Sequence, residues 1–433
     1  MKKYLKKCIV SLIVLSMFIS TIKVDAESRT SVGMKYDKSL LKSVKKYDRN
    51  CDGYLSTKEI KRIKTLEINS NKTINLKNIK KMKYLTSLKV EAKAIKNLDE
   101  IRNLKNLKKI EIVSKKNKSI DLRKNKKLNS VTISMPKAKG VRFYKRNKIK
   151  YLNLSIKKNV WKSARQCKKL KELKLTGLDN SVVKTRKIRK AFFYKVRTKN
   201  VIIDNTDSLT EIYVSGANNL EIKNKSKLKL IDLRKCKFEE LSFTDYKELK
   251  CLDIEECKKM VDLNLNNLPK LEVLVGWKNI NVKELSLEGL ESVKKINWSD
   301  GGLNSLSVAQ NNNVERLYLP NNRIKAMDFS KLKKLVRLDI SYNGYGGTID
   351  FSPAESLKRV SCYNNNLAEI VAKNHKNLEM LLCSNNKLKV IDLSGSKKVD
   401  CLECEDNPNV EIYLSNKFDD LVCDKSAVIH KLW

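Results

Sequence analysis

Along most of the chain, apolar residues recur in the pattern L-x-x-L-x-L-x-x-N-x-L with polar residues between them, and the pattern repeats about every 21 positions. Clear copies begin at Val314 (Leu317, Leu319, Asn322, Ile324) and Leu335 (Leu338, Ile340, Asn343). Others begin at Leu357 (Val360, Cys362, Asn365, Leu367), Leu378 (Leu381, Cys383, Asn386, Leu388) and Val399 (Leu402, Cys404, Asn407). The same frame runs back through Val293, Leu271, Leu249, Leu228, Leu209, Leu170, Ile149, Leu128, Leu107, Leu85 and Ile63. The wider gap between Leu170 and Leu209 hides a degenerate copy near Ile188, which gives about 17 coils. Each L-x-x-L-x-L segment predicts a short strand whose alternate side chains point inward. One coil cannot bury its apolar face alone, but a stack of parallel strands can, each apolar residue packing on its equivalent one coil away. Asn at the ninth position is expected to turn the chain out of the strand and to bond backbone groups of adjacent coils. At this short period the return arm should be extended or 3₁₀, with little room for α-helix.

This signature resembles the leucine-rich repeat, and the order of parts is similar to that of secreted Gram-positive bacterial proteins with internalin-like repeats. The resemblance implies an α/β solenoid, a right-handed horseshoe or arc with its parallel β-sheet on the concave face. It covers about residues 37–419 and departs from the pattern between Leu85 and Ala217, where the ninth position holds Lys93, Lys115, Pro136, Lys157, Leu178 or Ala217. It further implies a surface or secreted binding protein. Wall-attachment modules and a long C-terminal tail are missing, so a host-receptor role does not carry over.

Ahead of the repeats, residues 48–59 fill every ligand position of the EF-hand template. Asp48, Asn50 and Asp52 supply side-chain oxygens, Gly53 allows the sharp turn, Tyr54 offers its carbonyl, Ser56 acts directly or through water, and Glu59 closes the loop. Leu40, Leu41, Val44 and Tyr47 recur at helical spacing before it, and Thr57 to about Arg62 suits a short exit helix. The expected cofactor is Ca²⁺. Nearby Lys45, Lys46, Arg49 and Lys58 weaken the site, so a Kd of order 10⁻⁴–10⁻³ M is expected. At about 1 mM free Ca²⁺ such a site stabilises the fold by roughly 0.4–1.4 kcal/mol, which suits a structural staple.

The N-terminus carries Lys2, Lys3, Lys6 and Lys7, then an uncharged run from Ile9 to Ile22, then Val24 and Ala26 at positions a signal peptidase accepts. The expected organisation is a signal peptide (1–26), a linker (27–36), the EF-hand-like cap (37–62), the solenoid (63–419) and a C-terminal cap (420–433). In that last segment Leu421, Val422, Val428, Leu432 and Trp433 would shield the final coil. No later stretch reads as transmembrane, so the mature chain should be released, or held outside the cell without a covalent anchor. Ten cysteines remain after cleavage. Cys362, Cys383 and Cys404 share the sixth, inward position of consecutive strands, while Cys236 and Cys257 share the Asn position. They read as small buried hydrophobes in stacked ladders, with disulfides between neighbouring rungs as the alternative.

The chain carries 92 Lys+Arg against 48 Asp+Glu, and the excess is local. Residues 101–200 hold 34 basic and 4 acidic residues, whereas residues 201–433 hold 34 of each. The basic residues favour the returns: Lys115, Lys116 and Lys118; Arg123, Lys124, Lys126 and Lys127; Lys145, Arg146 and Lys148; Lys184, Arg186 and Lys187. They form a candidate polyanion site for a cell-wall polymer or glycan, or else a solvated Lys-rich surface. Nucleic acid is electrostatically feasible, but there is no base-stacking module or recognition helix and export argues against it. In the neutral half, the outward strand positions place Tyr213, Trp277, Tyr318, Asp339, Tyr342 and Tyr363 on the concave face, a surface suited to a protein or glycan ligand. With 2 His and no G-x-S-x-G, H-E-x-x-H or phosphate loop, the chain reads as non-enzymatic. The function expected is adhesion or recognition outside the cell. The alternative is a recognition scaffold attached to a secreted enzyme complex.

Overall fold

A computed structural model describes residues 34–180, 182–184, 187–204, 208–308, 313–417 and 420–432. The expected signal peptide, Arg186 and Trp433 lie outside the described residues. The chain divides into two compact units, Met1–Gly177 and Leu178–Trp433.

In the first unit six short strands pair in parallel, each one coil from the next: Thr65–Asn69, Ser87–Ala92, Lys109–Ser114, Ser130–Met135, Tyr151–Ile156 and Glu172–Thr176. Alternation in sequence becomes alternation across the sheet. Leu66, Leu88, Ile110, Val131, Leu152 and Leu173 meet in register and are all buried. Two residues on, Ile68, Val90, Ile112, Ile133, Leu154 and Leu175 form a second buried file. Fully burying one such side chain is worth about 1.5–3 kcal/mol, and each needs the coil beside it to do so.

The second unit repeats this with twelve strands from Lys190–Tyr194 to Asp420–Cys423, again all parallel and in register among the described residues. The degenerate copy near Ile188 is a regular coil here: Ile188, Ala191 and Phe193 are buried. The segment expected as a C-terminal cap is a further winding. Asp420–Cys423 pairs with Cys401–Cys404, and Val428–Lys431 pairs with Glu411–Leu414 on the return side.

The ninth-position amides knit the coils together. Asn365 donates to the Ile340 and Cys362 carbonyls at 3.0 and 2.9 Å and accepts from the Tyr345 N–H at 3.2 Å. Asn322, Asn343, Asn386 and Asn407 repeat the arrangement. Where Cys replaces Asn, the thiol takes over part of the job: Cys236 Sγ donates to the Val214 carbonyl at 3.7 Å and Cys257 Sγ to the Leu233 carbonyl at 3.9 Å. The described cysteines are free thiols, with Cys362, Cys383 and Cys404 fully buried. Burial pushes the Cys404 thiol up to about 12, so that file is chemically quiet.

The returns are short strands and 3₁₀ turns, such as Thr73–Asn75 paired with Ala94–Lys96 and Ile120–Leu122 paired with Val141–Phe143. One coil accommodates a helical return, Val160–Ala164, because Val160, Trp161 and Ala164 all bury against it. No helix among the described residues is long and apolar enough to cross a membrane.

The cap begins before residue 37. Met34–Lys35 pairs antiparallel with Tyr54–Leu55, and Met34 and Tyr36 are buried, so the residues read as the end of a linker belong to the folded cap. Three short turns, Lys38–Leu40, Leu41–Val44 and Lys45–Tyr47, lead into the loop, and Thr57–Arg62 leaves it. The cap is fastened to the first coil by the Tyr47 hydroxyl donating to the Thr65 carbonyl and the Asn75 N–H donating to Ser39 Oγ.

Candidate functional site

The 48–59 loop is closed by its own acids. Buried Asp48 accepts from the Gly53 and Asp52 N–H groups at 3.0 and 3.2 Å and from the Tyr36 hydroxyl at 2.8 Å. Burial, then the Asp48 carboxylate, pushes Tyr36 up to about 12. Gly53 supplies the positive φ of 82° that the turn requires. Glu59 and Ser56 form a capping box at the start of Thr57–Arg62, and Glu59 also accepts from the Arg49 N–H at 2.8 Å. Burial opposes ionisation of Glu59, but these donors outweigh it and hold its carboxyl below the usual range. The all-oxygen donor set fits a hard cation in its chemistry. The side chains do not yet enclose one. Asn50 donates to Asp52, and no group of three or more His, Cys, Asp or Glu side chains converges as a metal cage among the described residues.

The basic residues of the first unit stand on the returns for a simple reason: the Asn within each run is the inward tether. Asn117 bonds both the N–H and the carbonyl of Ile95, so Lys115, Lys116 and Lys118 point out. Buried Asn125 reaches the Ile101 and Leu104 carbonyls between exposed Arg123, Lys124, Lys126 and Lys127. Asn147 donates to the Tyr144 and Gln166 carbonyls between exposed Lys145, Arg146 and Lys148. The charges are not all available. Arg123 pairs with Asp121 at 2.6 Å, Lys127 donates to Asn106, and Lys126 lies 5.1 Å over the Tyr144 ring. Lys184 and Lys187 belong to the second unit, where Lys184 pairs with Asp204 at 3.6 Å. Two grooves add residues that counting runs of charge had missed. One, of about 380 Å³, is lined by Lys118, Lys139, Arg142 and Lys162 with Asp121; the other, of about 550 Å³, by Lys80, Lys81, Lys83 and Lys105. Their signal was spacing, since residues one coil apart share a face. The strand face of this unit is milder: Lys89, Glu111, Thr132, Asn153 and Lys174 align on it, and Lys89 pairs with Glu67 at 2.7 Å.

On the strand face of the second unit, outward residues also fall into rows. Phe192, Tyr213, Asp232 and Asp253 are consecutive in one row, and Phe192 stacks on Tyr213 with centroids 4.3 Å apart. Asn297, Tyr318, Asp339 and Ser361 continue that row further along. The next row holds Arg234, Glu255 and Trp277. Arg234 contacts Asp232, Asp253 and Glu255 at 2.8, 3.4 and 3.1 Å. Burial, with the charges of Glu255 and Asp232, nonetheless raises Asp253 to about 6, and one of its oxygens has no hydrogen-bond partner among the described residues. The Trp277 indole donates to Asp300 at 2.7 Å while Lys278 caps its ring at 4.2 Å. Tyr342 sits beyond the strand in a turn of φ 54°, where it packs edge-on against Tyr363. The six residues read from sequence are thus spread along the face rather than gathered at one point. Phe192 and Tyr194 were missed because their coil is degenerate. A leading row of Lys295, Arg316, Arg337 and Arg359 was missed because the net charge of that half is zero.

No family model and no curated protein matches the chain. Among solved structures, it is similar to the functional domain of InlJ from Listeria monocytogenes, which includes a cysteine ladder. The identity is 17% over 87% of this chain and 70% of that one, with a TM-score of 0.34. It is also similar to the internalin InlF from L. monocytogenes (14% identity, 84% and 95% covered, TM-score 0.36). A third is the leucine-rich repeat protein LIC12759 of Leptospira interrogans (16% identity, 86% and 92% covered, TM-score 0.38).

Proposed function

We propose that this is a non-enzymatic binding protein, acting outside the cell, whose second unit recognises a ligand on its strand face. The observation that carries this reading is the registration of outward side chains into continuous rows that mix tyrosine, tryptophan and charge. Registered rows give a rigid, preorganised surface, and Tyr, Trp and Arg are the residues that dominate interface energetics. The basic returns of the first unit act as an electrostatic retention surface for an anionic wall polymer or glycan, with Lys115, Lys118, Lys145 and Lys148 among the groups that meet it.

An array of glycans, wall polymers and peptides, probed with the full chain, tests the reading. Tyr213→Ser, Tyr318→Ser and Tyr363→Ser together should abolish selective binding while leaving polymer retention intact. Reversal of Lys145, Arg146 and Lys148 to Glu should do the opposite and flatten the salt dependence of retention. If the tyrosine variant keeps every wild-type interaction, recognition by the strand face is wrong.

Calcium belongs to this proposal as a staple of the cap. Asp48, Asn50, Asp52, Ser56 and Glu59 would hold it with the Tyr54 carbonyl, once Asn50 and Ser56 give up their present partners. Addition of 1 mM Ca²⁺ should raise the unfolding free energy by roughly 0.4–1.4 kcal/mol. Glu59→Gln should remove that increment in a thermal melt. An equal increment in the variant would sink calcium binding by this loop.

A further inference from the structure

The neutral half of the chain carries an ordered stripe of positive charge. Lys295, Arg316, Arg337 and Arg359 lie opposite one another on four consecutive parallel strands, Lys295–Ser299, Arg316–Tyr318, Arg337–Asp339 and Arg359–Ser361. The positions flanking this file in the same row are uncharged, Val273 on one side and Met380 on the other, so the stripe is bounded. The three arginines are exposed, and none makes an ion pair among the described residues. That sets them apart from Arg234, which three carboxylates hold on the same face. The acids around the stripe are Glu272, Glu315, Asp339 and Glu379, and three of them have partners. Glu272 pairs with Lys250 at 2.8 Å. Asp339 accepts the Ser341 N–H at 3.0 Å, and Glu379 pairs with Lys358 at 2.9 Å. Lys294 adds to the cationic side at its edge while Lys358 and Glu379 offset each other, so the balance stays positive.

We propose that this stripe is a docking site for the acidic face of an α-helix presented by a protein partner. The argument is one of spacing. Neighbouring rungs of a sheet stand about 4.7–4.9 Å apart. Acidic residues at i, i+4 and i+7 of a helix advance about 5.4 Å per turn, so over three rungs the mismatch is only about 1 Å, within the reach of an arginine side chain. An extended acidic segment places same-side residues about 6.6–6.8 Å apart and loses register by about 4 Å over the same rungs. Guanidinium forks match carboxylates bidentately, which rewards that register. Tyr318 in the adjoining row, and the Tyr342–Tyr363 pair beyond it, offer the aromatic contacts that protein interfaces favour. This inference rests on the strand-face reading given above and names the partner chemistry for it.

The probe is a fluorescein-labelled helical peptide with Glu at i, i+4 and i+7, compared by anisotropy with a peptide of the same composition whose acids are scattered around the helix. The full chain should bind the striped peptide at least about tenfold more tightly. The variant R316E/R337E/R359E should lose that preference, an effect expected for charged contacts at the centre of an interface. A control reversal on a first-unit return, K168E/K169E/K171E, should keep it, with thermal melts confirming that both variants fold. Equal affinity for the two peptides, or undiminished binding by the triple arginine variant, overturns the proposal. So does a sulfated glycan that binds through these arginines when the striped peptide does not, although strand-face recognition then survives. That broader reading fails separately, on the tyrosine variant.

Discussion

Single residues in this molecule are constrained by the coil next door more than by their own. Gly276 illustrates it. A Cβ there would overlap the ring of Trp298, which is fully buried one rung away. The small residue makes room for the large one, so Gly276→Ala should destabilise by about 1–3 kcal/mol through overpacking. Adding Trp298→Leu should recover part of that loss in a denaturant titration, and strict additivity of the two changes would contradict the packing account. Asp253 is constrained electrostatically. Its folded carboxyl titrates near 6, against about 3.9 in an unfolded chain. The folded state therefore binds the extra proton between those values, so the stability that Asp253 contributes is present in full below about pH 4 and is lost as pH rises through 6. Asp253→Asn should flatten the melting temperature over that window and raise it at pH 7. An unchanged pH profile would mean that Arg234 already neutralises the site.

At the scale of the element, nine consecutive coils of the second unit bend out of their strands through one left-handed non-glycine residue. Lys235, Glu256, Lys278, Asp300, Asn321, Tyr342, Asn364, Asn385 and Asp406 have φ between 51° and 56°. Asn and Asp adopt this conformation with least cost, whereas other non-glycine residues are less favourable by about 1–2 kcal/mol. Glu256→Asn should therefore stabilise by about 1 kcal/mol, since its 3.4 Å pair with Lys235 is solvated at the lysine end. Lys278→Asn should come out near neutral, because it gives up the cation–π contact with Trp277. Chemical denaturation of the two variants distinguishes them. These elements were largely legible in sequence. Inward files such as Leu317, Leu338, Val360 and Leu381 announce the strands, and the ninth-position Asn announces the turn, because both repeat with the coil. The degenerate coil at Lys190–Tyr194 and the final winding at Asp420–Cys423 were harder, since neither repeats the full apolar frame. The arginine stripe was hidden for another reason: charge counted along a chain averages what a sheet lines up across it.

Over each unit as a whole, the same bond is made again and again at a sequence distance of about 21 residues, and the described hydrogen bonds between coils hardly exceed it. Contacts of constant, modest separation favour folding by local nucleation and outward growth, and they make stability close to a sum of neighbour terms. Adding or removing one whole coil should disturb a unit little compared with deleting half of one. The parallel hydrogen-bonded ladder also has a mechanical consequence. Tension applied along either stack would load its windings in series, so it should yield as a train of similar steps, each freeing roughly 70 Å of chain.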